Sequence, residues 1–266
     1  MRLYKFRRLK GASDAEVDKL RGRILDIVNA KHLFCEKWQQ FPDKYEGAYI
    51  SFAGLTPDDI NELGKARLRS EEEYFEEVER RGLIKKSCDK YSRVCSLTLG
   101  PLSNGYMWKE YADAGAGVAI EFIVRKDIET TPLKKVQYAK EEQMKGVRNV
   151  FGVLADATGN VDDFSDHLLD FKVREYRKEN EVRLICKQSE LEPPPFCGDA
   201  NDKLALSEYR YEMLEAGKNC YYDFSHKMDV VKVWCGKHVS DDDYAFLKSH
   251  IIPNVPVAKF EGELTC

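Results

Sequence analysis

The sequence predicts an α+β fold: a single domain with a twisted, split mixed β-sheet covered by helices. Candidate strands and helices are interleaved irregularly, without an internal repeat and without the regular β-α-β alternation of a parallel sheet. The chain of 266 residues is long enough to bury one large core, and no long structureless linker divides it. We therefore expect residues 1–266 to form one domain, with a peripheral insertion at about 190–217 where Pro193, Pro194 and Pro195 interrupt the pattern.

The first third of the chain predicts a strand, a helix, a short strand and a long helix. Residues 2–7 have the composition of a strand. Ser13 and Glu16 form a capping box that opens a helix, and the apolar residues after it recur at helical spacing. A short strand is predicted at 32–35, and a long helix from about 57 to 81 is closed by Gly82.

The rest of the chain predicts further strands and helices in mixed order. The predicted strands are 92–99, 118–124, 133–138, 181–187, 219–225, 229–235 and 255–260. The predicted helices are 107–113, 140–155, 164–177, 204–216 and 241–252, the last with Ser240 as its N-cap. The helix at 204–216 belongs to the predicted insertion.

The composition limits the classes of partner. The formal net charge is -4, so no generic nucleic-acid-binding surface is expected. No apolar run reaches the length of a membrane span, and no signal-peptide core follows the basic N-terminus, so we expect a cytoplasmic protein without a membrane partner. The cysteines include no C-x-x-C pair and the histidines form no H-x-x-H set, which favours buried free thiols and argues against a metal site.

Glu179-Asn180-Glu181 is the most informative short pattern. Because side chains alternate along a strand, both carboxylates are predicted on one strand face, about 7 Å apart. Such a pair can divide chemical work, since one carboxylate can position a nucleophile while the other stabilises positive charge in the substrate. The alternative is a polar strand start in which Arg183 is the salt-bridge partner.

Two other predicted strands carry polar residues among apolar neighbours. Arg7 closes the first strand, near Tyr4, and Ser96 and Thr98 share one face of the strand at 92–99. Polar groups in such strands are costly unless something uses them, so all four are candidate binding residues. Taken singly, Ser96 also fits a core hydroxyl bonded to backbone, and Arg7 an edge-strand cation.

Taken together, Arg7, Ser96 and Glu181 resemble, in chain order, the R-S-E arrangement of ADP-ribosyltransferases of the arginine-modifying toxin type. The resemblance implies an ADP-ribosyltransferase-like fold with NAD as the substrate and an acceptor that the sequence does not identify. Arg7 would hold the pyrophosphate, and Ser96 would brace the nicotinamide pocket. Glu181 would stabilise the oxocarbenium ion that forms when the glycosidic bond breaks, and Glu179 would orient the acceptor.

Five segments together resemble a second family, the bacterial domain of unknown function 2971 (DUF2971). They are Tyr4-Lys5-Phe6-Arg7, residues 41–46, Met107-Trp108 with Tyr111, residues 117–122 and residues 176–184. The family pattern in these segments is Y-K-Y-R, F-N-D-P-x-E, M-W-x-x-Y, G-V-x-x-E-F and E-x-E-x-R. This chain departs from it at Pro42 and Lys44, which stand at the Asn and Pro positions. The resemblance implies a bacterial toxin or phage-defence effector.

The expected substrate-binding set is completed by four further residues: Trp108, Tyr111, Glu121 and Arg183. Trp108 and Tyr111 share one face of the predicted short helix, where they would either stack on a nicotinamide or adenine ring or plug the core. Glu121 is either a second site carboxylate or the partner of a buried arginine such as Arg183.

Two other functions remain open at this point. A nucleotide-binding regulatory module would use Arg7 and Glu181 to bind a nucleotide without cleaving it. A metal-dependent nuclease would explain acidic residues such as Glu121, but the E-x-K strand motif of that class is absent, and its nearest match, residues 170–172, falls in a predicted helix. We expect an ADP-ribosyltransferase or NAD glycohydrolase.

Overall fold

The computed structural model describes residues 1–36, 93–125, 133–139, 171–186, 190–192 and 220–265. Within these ranges the chain has the predicted α+β class, with one large mixed sheet and a few helices packed on it. The predicted helices at 57–81, 140–155 and 204–216, the loop at 41–46 and most of the predicted insertion at 190–217 lie outside the described residues.

Eleven strands form three sheets in the described part of the chain. They are β1 (Arg2–Arg7), β2 (His32–Phe34), β3 (Arg93–Thr98), β4 (Val118–Val124), β5 (Leu133–Lys135), β6 (Gln137–Ala139), β7 (Phe171–Val173), β8 (Glu181–Cys186), β9 (Tyr221–Asp223), β10 (Met228–Cys235) and β11 (Val257–Lys259). The main sheet has seven strands in the order β11-β10-β4-β1-β3-β8-β5. Its neighbours are antiparallel except for β10 and β11. Strands β2 and β9 form an antiparallel pair, and β6 and β7 form a parallel pair.

The described helices begin at side-chain caps. They are α1 (Asp14–Val28), α2 (Gly105–Tyr111) and α3 (Asp241–His250), with 3-10 turns at Asp113–Gly115 and Arg174–Glu179. Ser13 accepts a hydrogen bond from the Glu16 amide, so the predicted cap of α1 is confirmed, and Ser240 caps α3 in the same way. Among the described residues, no helix combines the length and the apolar character needed to cross a lipid bilayer.

Alternation along the strands divides the buried apolar residues into two layers. The larger core lies between the sheet and helices α1 and α3, and Leu3, Leu97 and Ile120 contribute to it from neighbouring strands. On the opposite face of the sheet, Tyr4 and Phe6 pack against α2. We call these two sides the α1 face and the α2 face.

The main sheet opens between β1 and β3. Strand β1 pairs with β4 at every residue from Arg2 to Arg7, but it pairs with β3 only where Tyr4 faces Thr98. At the other end of β3, the backbone of Val94 bonds to Glu36, the second residue after β2. The split that the sequence predicts therefore lies between the second half of β1 and the first half of β3.

Two predicted elements are wrong in detail. The described part of the predicted helix at 164–177 is not α-helical, because Phe171–Val173 is a strand paired with β6 and Arg174–Glu179 is a 3-10 turn. The ladder with β6 outweighs the weak helical preference of this segment. The predicted strand at 133–138 is two strands in different sheets, β5 and β6, and the amide of Val136 between them donates to the carbonyl of Glu181.

The cysteines within the described residues are free and buried, as predicted: Cys35, Cys95, Cys186, Cys220 and Cys235. The sulfurs of Cys35 and Cys186 are 3.7 Å apart. Burial raises the pKa of Cys35 well above its ordinary value and raises that of Cys235 to about 12. These thiols therefore have little thiolate at neutral pH.

We expect these five thiols to react slowly with a thiol-specific reagent in the native protein, because a thiol must be both accessible and ionised to attack. Labelling followed by peptide mass mapping measures each cysteine separately. Modification in urea, where burial is lost, gives the reference rate. Native rates close to the urea rates at these positions would contradict the burial.

Candidate functional site

A cavity of about 360 Å³ lies at the split in the sheet. Its walls include every residue from Tyr4 to Arg8 and every residue from Val94 to Thr98. Consecutive residues of a strand point to opposite faces, so they can line one cavity only if it lies in the gap between the two strands. The remaining lining residues are Phe34, Glu36, Met107, Tyr111, Lys172, Glu179 and Glu181. We call this cavity the cleft; its volume is in the range of small-molecule sites.

Glu181, the first residue of β8, is fixed from three sides. Its Oε1 atom accepts a hydrogen bond from the Ser96 hydroxyl on β3 and another, of 2.8 Å, from Nε of Arg183. Its Oε2 atom accepts from Nζ of Lys172 at 3.1 Å. The side chain is 3% exposed. Ser96 faces Arg183 and Thr98 faces Glu181 in the β3–β8 ladder, so strand register places the serine beside the carboxylate.

Lys172 links Glu181 to Glu179. Its ammonium donates to Oε2 of Glu179 at 2.7 Å as well as to Glu181, and it also lies 4.5 Å from the centre of the Tyr176 ring. The other oxygen of Glu179 accepts from the hydroxyl of Tyr111, at the end of α2. One buried cation thus holds the two carboxylates of the E-x-E pattern together.

The two carboxylates do not share a strand face, contrary to the expectation from alternation. Glu179 is the last residue of the 3-10 turn, and Asn180 takes the left-handed conformation with φ 45°. Asparagine tolerates this region better than most residues. The left-handed residue ends the turn and starts β8, so the two side chains approach Lys172 from different elements.

The surroundings shift the pKa values of the two carboxylates in opposite directions. Burial raises the pKa of Glu179, and the attraction of Lys172 offsets this only in part. Burial would also raise the pKa of Glu181, but the charges of Arg183 and Lys172 and the hydrogen bonds of Arg183 and Ser96 outweigh it and lower the pKa. Glu181 is therefore held as an anion, while Glu179 is the carboxylate that more readily takes a proton.

The β1 side of the cleft is cationic. Lys5, Arg7 and Arg8 all line it. By strand alternation Arg7 belongs to the α1 face and Ser96 to the α2 face, yet both reach the cleft because it lies in the split. The carboxylate of Asp113 accepts hydrogen bonds from the amides of Leu9 and Lys10, at 3.1 Å each, and so fixes the chain where it leaves β1.

The cleft brings together seven of the ten residues predicted from the sequence, and Arg183 lies directly behind one of them. The seven are Tyr4, Arg7, Ser96, Thr98, Tyr111, Glu179 and Glu181. Arg183 is 1% exposed and contacts the cleft through Glu181, so the predicted pairing of these two residues is present together with the contacts to Ser96 and Lys172.

Trp108 and Glu121 are not among the residues that line the cleft. Trp108 is buried in the α2-face core, where its ring stacks on Phe260 with centroids 5.6 Å apart and its Nε1 donates to the carbonyl of Leu102. Glu121 accepts from Arg2 at 2.9 Å and from Trp234 at 2.8 Å. The aromatic side chain of α2 that reaches the cleft is Tyr111, which is 37% exposed.

The sequence predictions did not include Lys172 or Lys5. The sequence predicts a helix around Lys172, because a three-residue strand such as β7 is too short to show an alternating pattern. Lys5 lies inside the segment Tyr4-Lys5-Phe6-Arg7, and the resemblance of this segment to the DUF2971 pattern is the sequence signal that could have identified it. Among the described residues, no group of three or more His, Cys, Asp or Glu side chains is arranged to hold a metal ion.

Comparison with known proteins gives one family. The family model of DUF2971, described as a protein of unknown function, matches residues 107–184. This match supports the DUF2971 resemblance seen in the sequence. No curated protein and no solved structure gave a significant match.

Replacing Lys172 by Met should lower the free energy of unfolding by about 3–5 kcal/mol, because it leaves two buried carboxylates facing each other without their shared cation. Urea unfolding measures this change. The double variant Lys172→Met with Glu179→Gln removes one of the two charges and should recover part of the loss. A single-variant loss below about 1 kcal/mol, typical of exposed pairs, would contradict the burial of this network.

The two carboxylates should affect acid stability with opposite signs. Since the folded-state pKa of Glu181 is lowered, its contribution to stability is present above the unfolded-state value of about 4.3 and is lost as pH falls through the folded-state pKa. The raised pKa of Glu179 gives the reverse: its contribution is present below the unfolded-state value and is lost as pH rises through the folded-state pKa.

Urea unfolding between about pH 5 and pH 3 tests these signs. Glu181→Gln should lose less unfolding free energy over this range than the native protein, and Glu179→Gln should lose at least as much as the native protein. An unchanged acid slope in Glu181→Gln would show that Glu181 is not the stabilised anion of the pair.

Proposed function

We propose that the protein binds NAD in the cleft and cleaves its nicotinamide glycosidic bond. Residues 107–184, which the DUF2971 family model matches, supply Met107, Tyr111, Lys172, Glu179 and Glu181 of the cleft. The ADP-ribose passes to an acceptor, as in ADP-ribosyltransferases, or to water, as in NAD glycohydrolases. In this reaction the bond between ribose C1′ and the ring nitrogen breaks, its electron pair neutralises the pyridinium, and nicotinamide leaves.

The observation that carries the proposal is the buried, ionised Glu181 beside the Ser96 hydroxyl. As nicotinamide departs, positive charge develops on the ribose ring. A fixed anion in a water-poor site stabilises such charge better than the same anion in water, because it is already oriented before the reaction. The hydrogen bonds from Ser96 and Arg183 hold the carboxylate in that position.

Glu179 suits the second role, proton transfer from the acceptor. Two acids whose surroundings push their pKa values apart can serve as a permanent anion and as an acid–base group, respectively. The raised pKa of Glu179 fits proton uptake from a hydroxyl, amine or water that attacks C1′. Tyr111 donates to Glu179 and is partly exposed.

The cationic wall suits the other end of the ligand. Arg7 and Arg8 stand on the β1 side of the cleft, across from the carboxylates of β8 and the 3-10 turn. A dinucleotide offers the matching polarity, with a negative pyrophosphate at some distance from a positively charged nicotinamide ring. Arginine is well suited to bind phosphate through two parallel hydrogen bonds. The identity of the acceptor, and a role as toxin or phage-defence effector, stay predictions from the sequence resemblance.

One observation favours a second candidate, a nucleotide-binding module without catalysis. Each oxygen of Glu181 already accepts from protein donors: Ser96 and Arg183 on one, Lys172 and Arg183 on the other. A carboxylate so fully engaged has little remaining capacity for the ribose hydroxyl. Under this candidate the network only shapes the wall of a binding site.

Replacing Glu181 by Gln distinguishes the two candidates. The substitution keeps the shape but removes the charge, so a cleaving enzyme should lose on the order of a hundredfold or more in rate while it still binds NAD. Nicotinamide release from labelled NAD, NAD binding by calorimetry and thermal unfolding are measured on the same preparations. Glu121→Gln is the matched control, because Glu121 is equally buried on the α2 face and does not line the cleft.

The outcomes of these measurements distinguish the cleaving enzyme from the binding module. Loss of release in Glu181→Gln but not in Glu121→Gln supports cleavage at this site. NAD binding by the native protein without nicotinamide release supports the module. Unaltered turnover in Glu181→Gln ends the catalytic assignment of Glu181.

A further inference from the structure

The edge of β3 that faces the split carries three backbone carbonyl groups in a row, on Val94, Ser96 and Thr98. The carbonyl of Val94 accepts from the amide of Glu36 at 2.9 Å, and Thr98 faces Tyr4 of β1. Between them the β1–β3 ladder has no residue pair, so Ser96 has no ladder partner in β1. The Ser96 carbonyl instead accepts from Nζ of Lys5 at 2.6 Å.

Lys5 reaches Ser96 across the split. Strand alternation sets Lys5 on the α1 face, whereas the Ser96 side chain is on the α2 face against Glu181. Burial of the ammonium and the nearby Arg7 lower the pKa of Lys5, while Cys95 and Glu36 act in the opposite direction. An ammonium group in such a place is costly unless it is well bonded, and the charged hydrogen bond to Ser96 is the compensation.

We infer that Lys5 is the positioning residue of the cleft: its ammonium takes the place of a strand neighbour at Ser96 and so fixes the Ser96 hydroxyl against Glu181. A pair of backbone hydrogen bonds between β1 and Ser96 would bring the two strands together and close the split. Without any bond to Ser96, the middle of β3 would have no support on this edge. A long side chain from β1 holds the middle of β3 while the cleft stays open. The part of this inference that concerns catalysis rests on the proposed function, whereas the part that concerns geometry does not.

The labelling rate of Cys95 tests this inference without a measurement of enzyme activity. Cys95 is one of the residues that line the cleft, next to Ser96, and it is 2% exposed. The hydrogen bond with Cys35 and burial raise the pKa of Cys95, and the Lys5 charge lowers it. Replacing Lys5 by Met would therefore slow labelling of Cys95 if the strands kept their positions. If the strands move apart, labelling speeds up, so the sign of the change distinguishes opening from a purely electrostatic effect.

Lys31→Met is the matched control. Lys31 also donates from Nζ to a backbone carbonyl at 2.6 Å, that of Val28, and burial also lowers its pKa, but it does not line the cleft. We expect Lys5→Met to label at Cys95 on the order of tenfold faster than the native protein, and Lys31→Met to label at the native rate. Labelling of Cys95 in Lys5→Met at or below the native rate would overturn the inference.

The catalytic arm uses the same variants in the nicotinamide-release measurement. Lys5→Met should lower kcat on the order of tenfold or more with a smaller change in KM. Lys5→Arg should restore part of kcat, because arginine keeps a charged donor. Lys31→Met should have the kcat of the native protein. A native kcat in Lys5→Met would overturn the positioning role. If Lys5→Met does not fold, Lys5→Gln, which is too short to span the split, provides the same comparison.

The two proposals fail in different ways. If the native protein releases no nicotinamide, the proposed function fails, and Cys95 labelling still decides the role of Lys5. If the native protein turns over NAD and Lys5→Met labels slowly, the proposed function stands and the positioning role does not.

Discussion

The constraint on which the rest of this structure depends is the separation of β1 from β3 after a single residue pair. A continuous ladder between these central strands would satisfy their backbone groups and fill the space that is now the cleft. Their divergence has two consequences. Residues of both faces of the sheet meet in one cavity, and the unpaired edge of β3 needs donors from elsewhere, which Glu36 and Lys5 provide.

The second constraint on the structure is that the buried charges beside the cleft must balance, because little water is there to solvate them. Glu179 and Glu181 are neutralised by Lys172 and Arg183, all four side chains being almost fully buried. Taking four charges out of water is expensive, and such networks seldom add net stability compared with an apolar core. What the network provides is two carboxylates in fixed positions with different affinities for a proton, on the wall of a cavity whose opposite side is cationic.

Much of the fold could be predicted from the sequence, because its main strands and helices are long enough to show the periodicity of their apolar residues. Strands β1, β3, β4, β8 and β10 and the caps of α1 and α3 were predicted close to their observed bounds. The three-residue strand β7 was not, since no period exists over three residues, and Lys172 was missed with it. Both carboxylates of the E-x-E pair line the cleft, but the predicted shared strand face is wrong, because the chain takes a left-handed turn at Asn180. Trp108 illustrates the opposite limit: spacing groups it with Tyr111, but only packing shows that it lies against Phe260 in the core.

The left-handed Asn180 has a consequence for how the two carboxylates can vary. On one strand, the distance between them would be fixed by the repeat of the β-conformation and could change only if β8 itself changed. Here a single residue joins two separate elements, so the position of Glu179 depends on its turn, whereas that of Glu181 depends on the register of β8 with β3. The spacing of the two acids is therefore set by the turn and not by the strand repeat, so substitutions in the turn alone would change this spacing in related chains.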